Sequence, residues 1–199
     1  MIRTPQALIP YLLALVMVLA GGLWHMGDAV PGIGRTVESG TASVGGPFSL
    51  IDQTGATRSD ADFRGKLMLI YFGYSNCPDV CPTTLAVIAD ALQKMGDKAA
   101  RVVPIFITTD PARDTPKVLG LYMKAFGPEF VGLTGDAATV DAVGKEFHVY
   151  SRRRDLPGGG YAMDHTSVLY VMGPDGKYLT HYDEAISPDD LAKDLEKRL

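Results

Sequence analysis

Cys77 and Cys81 are the only two cysteines of a 199-residue chain, and both lie in "GYSNCPDVCP" (73–82) with three residues between them. A structural bridge there would close a very short loop, and chain-entropy stabilisation shrinks with loop length. Thiol–disulfide exchange and metal ligation are the chemistries left. Pro82 suits the first position of a helix, which makes Cys81 the expected N-cap residue and leaves Cys77 in the loop before it. Pro78 and Pro82 fix two φ angles, so the sulfurs are partly preorganised. The positive end of a helix dipole favours thiolate, which is both a nucleophile and a soft metal ligand. Thioredoxin-type exchange commonly uses the tighter C-x-x-C. The wider spacing suits two sulfurs facing one metal.

Two thiolates leave room for another donor, and the chain has four histidines. His25 borders the N-terminal apolar segment, His148 ends a helical pattern, and His181 alternates within "KYLTHYD". His165 differs, because it directly precedes the apolar run "TSVLYVM" with Asp164 beside it as a candidate orienting carboxylate. A lone histidine is more commonly structural, so its ligand role stays an expectation. Thiolates with an imidazole favour copper, as Cu(I) or Cu(II), at one ion per domain. Structural zinc closes four protein ligands, and a second ligand pair is missing.

The elements that must position these groups read clearly from Phe48 onward. "FSLID" and "KLMLIYFGY" (66–74) have strand character, the second continuously apolar and therefore buried. Leu85, Ile88, Ala89 and Leu92 follow helical spacing. "RVVPIFITTD" (101–110) is a strand whose Pro104 calls for an edge position or a bulge. Thr115-Pro116 opens a helix with Val118, Leu121, Tyr122 and Ala125 as its apolar stripe. "FVGLTG" is a short strand, and Val140, Val143, Gly144 and Phe147 line another helix. "TSVLYVMG" and "KYLTHYD" around Pro174-Asp175-Gly176 form a hairpin, and Ser187-Pro188 caps a last helix. The order β-β-α-β-α-β-α-β-β-α implies an α/β mixed sheet flanked by helices. Ligands gather beyond the carboxyl ends of parallel strands, so "GYSNCPDVC" and "TTDPARDTP" should share one edge. Asp79, Asp110 and Arg113 are then candidates to flank a metal or form a recognition rim. For Asp114, turn and cap chemistry suffices.

Thr4 to Gly27 contains no Asp, Glu, Lys or Arg. Eighteen helical residues span about 27 Å, near the thickness of a bilayer core. Residues 1–26 are therefore expected to be a single transmembrane helix with Arg3 and the amino terminus cytoplasmic, a signal peptide cleaved before Gly21 being the other reading; both export the domain. Residues 27–46, rich in Gly, Ser and Thr, read as a flexible tether, and 47–199 as the exported domain. This predicts a bacterial inner-membrane protein with a periplasmic domain. A net charge of −4 argues against nucleic acid as a partner. Arg152-Arg153-Arg154 reads as a solvated loop, with an acidic docking partner as the other reading.

"GYSNCPDVCP", "TTDPARDTP" (108–116) and "DHTSVLYVMGPDG" (164–176), in this order, resemble the Sco family, the SenC/PrrC-type proteins of cytochrome oxidase assembly. The resemblance runs from about Gly46 to the C-terminus. It implies a thioredoxin-like fold with Cys77, Cys81 and His165 as copper ligands. It also implies delivery of copper from an upstream donor to the binuclear centre of the oxidase's copper-bearing subunit. The alternative is a thiol–disulfide reductase that keeps that subunit's cysteines, or other exported thiols, reduced.

Overall fold

The computed structural model describes residues 43–199. The expected membrane helix and nearly all of the tether lie outside them. Among the described residues no helix is long and apolar enough to cross a membrane. Packing begins before Pro47: Val44 lies against the core, and the Gly45 amide donates to the Glu146 carbonyl.

Strands β1 (Ser49–Asp52) and β2 (Thr57–Ser59) are followed by β3 (Leu67–Gly73), helix α1 (Val80–Met95) and β4 (Val102–Thr108). Next come α2 (Pro116–Lys124), β5 (Val131–Thr134) and α3 (Ala137–Glu146). Then follow β6 (Ser151–Asp155), β7 (Tyr161–His165), β8 (Leu169–Met172), β9 (Tyr178–Tyr182) and α4 (Pro188–Arg198). Among the described residues seven strands form one sheet in the order β2-β1-β5-β4-β3-β8-β9, while β6 and β7 pair as a separate ribbon. The adjacent β3, β4 and β5 are parallel, and the outer pairings are antiparallel. This is the mixed sheet the sequence implies, with helices on both faces.

β3 is buried along its whole length because both sheet faces are covered. Leu67, Leu69 and Tyr71 point into a core shared with Leu85, Ile88, Leu119, Met123, Leu191 and Leu195 of α1, α2 and α4. Met68, Ile70 and Phe72 point the other way, onto Val140, Val143 and Phe147 at α3. The strand period of two thus divides the interior into two layers.

Four expectations change. Pro104 lies in the centre of the sheet, paired with Leu69 of β3, but β5 begins only opposite Ile105. At Pro104 the strand therefore has a neighbour on one side only, an edge in miniature, where a missing N–H does no harm. The stripe of α2 is out of phase: Leu119 and Met123 are buried, whereas Leu121 is 70% exposed. The arginine run is a strand of the β6–β7 ribbon, and its turn uses Gly158, Gly159 and Gly160, all with positive φ. Helix α1 starts at Val80 with Asp79 as N-cap, two residues earlier than Pro82 suggests.

Candidate metal centre

The last change relocates a sulfur. Cys81 stands inside α1 as the first member of the stripe that continues through Leu85, Ile88 and Leu92, so it points into the core and has no exposed surface. Gly73, ending β3, makes room for it: a Cβ there would lie 2.8 Å from the Cys81 sulfur and 2.9 Å from the Phe106 ring. Cys77 stays outside the helix and half-buried, its amide donating to the Tyr74 carbonyl at 3.1 Å. Both cysteines are free.

Topology delivers the third donor. β8 runs antiparallel to β3 with Leu169 opposite Tyr71, so the chain just before β8 lies at the carboxyl edge of β3. His165, at the end of β7, lands there. Its Nε2 lies 3.4 Å from the Cys81 sulfur, and the two sulfurs and one imidazole nitrogen all fall within 4.8 Å of one another. The His165 Nδ1 is 3.0 Å from the Thr166 carbonyl oxygen, which can only accept; Nδ1 therefore carries the proton and Nε2 offers its lone pair towards the sulfurs. Tyr74 and Tyr71 meet the imidazole edge-on at centroid distances of 5.7 and 6.4 Å.

Burial sets the electrostatics. It pushes the Cys81 thiol up to about 12, reinforced by the neighbouring Cys77 sulfur. The expected thiolate stabilisation by the helix end is thus outweighed by desolvation, because the sulfur faces the core rather than solvent. Burial also lowers the His165 pKa below its ordinary 6.5, so the ring is neutral at pH 7. The Tyr71 hydroxyl, 4.0 Å from the Cys81 sulfur and buried, is pushed upward and stays a proton donor. A neutral Cys81 thiol and a neutral imidazole, with the Cys77 sulfur beside them, fit a soft cation that displaces a thiol proton on binding.

The surrounding candidates divide. Asp164 does not touch His165: it is exposed and accepts from Arg154 Nε at 3.0 Å, and the Thr166 carbonyl orients the ring instead. Asp79 is exposed and makes no side-chain cap bond. Asp114, expected only to shape a turn, is wholly buried and fastens two loops together: it accepts from the Ser75 amide (3.0 Å), the Ser75 hydroxyl and the Thr108 hydroxyl (2.6 Å). Asp110 and Arg113 pair with each other and meet Tyr161 at the turn end of the β6–β7 ribbon. Tyr74 and Tyr161 escaped the sequence reading, since an aromatic residue next to a loop carries no distinctive spacing.

Fold and site together define a thioredoxin-like domain carrying a donor set of two sulfurs and one imidazole. Residues 36–199 match the SCO1/SenC family, and the chain belongs to it. It is 38% identical over 168 residues to the protein SenC of Rhodobacter capsulatus, covering 84% of this chain and 76% of that one. The structure of Bradyrhizobium japonicum ScoI with copper bound is 41% identical with a TM-score of 0.74, covering 79% of this chain and 100% of that chain. A structure of BsSco, described as having a disulfide switch and as a member of the Sco family of cytochrome c oxidase assembly proteins, is 26% identical. Its TM-score is 0.63, with 78% of this chain and 94% of that chain covered.

Proposed function

We propose that this protein carries copper, held by Cys77, Cys81 and His165, to the binuclear copper centre of cytochrome c oxidase. The observation that carries the reading is the approach of the His165 Nε2 to the Cys81 sulfur at 3.4 Å, in the tautomer that can ligate. In this reading an N-terminal membrane helix holds the domain in the periplasm, where an upstream donor loads it. Hand-over is stepwise ligand exchange. Cys77 stands in the loop outside α1 and is the less buried residue of the two, so an incoming thiolate meets the copper from that side, while Cys81, inside the helix, keeps its hold until the partner's donors are in place. Every intermediate remains coordinated, and the thiol protons return as the copper leaves.

Copper titration of the reduced protein tests it. One copper should bind per chain, with a sulfur-to-metal charge-transfer band for Cu(II), and His165→Ala should weaken binding by a large factor. An unchanged affinity in that variant removes the imidazole from the site and with it the carrier reading. A second reading, thiol–disulfide reductase, is favoured by the unequal exposure of two free cysteines within bonding reach of a small rearrangement. It predicts reducing activity on exported thiols that survives His165→Ala.

A further inference from the structure

We propose that Asp110, Arg113 and Tyr161 form a latch that holds the β6–β7 ribbon against the sheet edge and so keeps His165 over the two sulfurs; the proposal rests on the ligand role of His165 argued above. The ribbon needs such a device. Among the described residues it shares no strand pairing with the main sheet, β6 is exposed at every position, and β7 is at most half-buried. A cleft of about 390 Å³, lined by Asp110, Asp136, Arg153, Tyr161 and Met163 among others, separates it from the ends of the parallel strands. At its base the Thr166 amide donates to the Tyr150 carbonyl and the Tyr150 amide to the Thr166 hydroxyl. These contacts fix where the ribbon starts. Its inclination must be set farther out.

Tyr161, the first residue of β7, supplies the outer tie. Its hydroxyl donates to Asp110 Oδ1 at 2.9 Å, and its carbonyl accepts from Arg113 Nη1 at 3.0 Å. The Arg113 guanidinium stacks on the Tyr161 ring at 3.7 Å, with Arg153 on the same ring at 3.9 Å. Arg113 Nε donates to Asp110 Oδ2, so both carboxylate oxygens of a residue only 3% exposed serve this one junction. Arg113 also lies 5.6 Å from the Tyr74 ring, whose edge contact with His165 completes a line from latch to imidazole. Arg113 Nη2 is buried without a hydrogen bond among the described residues, an unusual concession for a guanidinium. It is intelligible if planar stacking, which lysine cannot reproduce, is what the position demands. Asp110 is anchored in turn: its amide donates to the Thr108 hydroxyl at 2.9 Å, beside buried Asp114. The latch is therefore rigid on the sheet side and breakable on the ribbon side.

The full-length chain, with Tyr161→Phe (which removes only the hydroxyl bond) and Arg113→Lys as variants, tests the latch in two measurements. In the metal-free protein, amide hydrogen exchange over residues 162–166 should quicken about tenfold in both variants, with β3 and β4 unchanged. In the copper-loaded protein, release to a chelator should quicken by a similar factor, with one copper still bound, and the acceleration should vanish in a His165→Ala background. Unchanged ribbon exchange in both variants overturns the latch, as does faster release that persists without His165. Loosened ribbon exchange alongside His165→Ala binding copper as tightly as the parent would leave the latch standing and remove the carrier reading.

Discussion

Cys81 and His165 lie 84 positions apart in sequence, and their sulfur and Nε2 lie 3.4 Å apart in space. Neither residue is in its ordinary ionisation range: burial raises the thiol and lowers the imidazole. The pair is thus neutral at pH 7, with a proton on the sulfur and a lone pair on the nitrogen.

In the proposed carrier, metal uptake at Cys81 must therefore release its proton. Because that thiol titrates at about 12, the Cu(I) affinity should rise at least about tenfold per pH unit between pH 7 and 8.5. Below pH 6.5 it should fall no more steeply, since the depressed His165 pKa delays imidazole protonation to lower pH. Competition with a Cu(I) chelator at several pH values measures this, and a flat profile would contradict the buried, protonated sulfur. In the metal-free protein the same shift gives a stability contribution that is present below the unfolded thiol value of 9.0 and lost as pH rises towards about 12.

The two thiols should differ sharply towards alkylating agents. Cys77 is half-buried and Cys81 has no exposed surface. With iodoacetamide at pH 7, the Cys77→Ser variant should react at least about 100-fold more slowly than Cys81→Ser, because only a trace of the Cys81 thiolate exists. Denaturant should abolish the difference. Equal rates in the folded variants would refute it.

Gly73→Ala should weaken both the fold and the site. The new methyl would sit 2.8 Å from the Cys81 sulfur and 2.9 Å from Phe106, so something buried must move. A loss of about 1–3 kcal/mol in urea unfolding is expected, with at least tenfold weaker copper binding. Gly120→Ala, where the nearest atom is 3.6 Å away, is the control. Within α2 it should gain about 0.5–1 kcal/mol and leave copper binding alone.

Asp114→Ala should separate the two loops that Asp114 joins. Removing a buried carboxylate that accepts from Ser75 and Thr108 strands their donors, at a cost of about 3 kcal/mol. Copper binding should weaken as well, because Ser75 lies two residues before Cys77. A variant with parental stability would show the staple to be idle.

The parts of this molecule that were legible in sequence are those where burial and periodicity agree. β3 announces itself because both its faces are covered, and α3 because its stripe matches the one face it buries. α2 misleads: over nine residues apolar side chains fall on two faces, and only the sheet selects Leu119 and Met123 over Leu121. The β6–β7 ribbon misleads for the opposite reason. Its first strand buries nothing, so Arg152-Arg153-Arg154 and three glycines look like a loop, and strand pairing is visible only in the backbone. The cysteines stand out by residue type. The depth of Cys81 does not, because a proline at the third helical position resembles one at the first. Asp114 and Tyr161 were hidden because their partners, Ser75 and Asp110, lie 39 and 51 positions away.

The antiparallel seam between β3 and β8 has a consequence for the newly made chain. Its register sets Tyr71 opposite Leu169, so the seam cannot close until nearly the whole polypeptide is available. Contacts this distant in sequence are slow to form. A half-finished chain offers two thiols and no ring to accompany them. Where a zinc finger recruits its ion in order to fold, here the full trio of donors exists only once the seam has brought His165 to the two sulfurs.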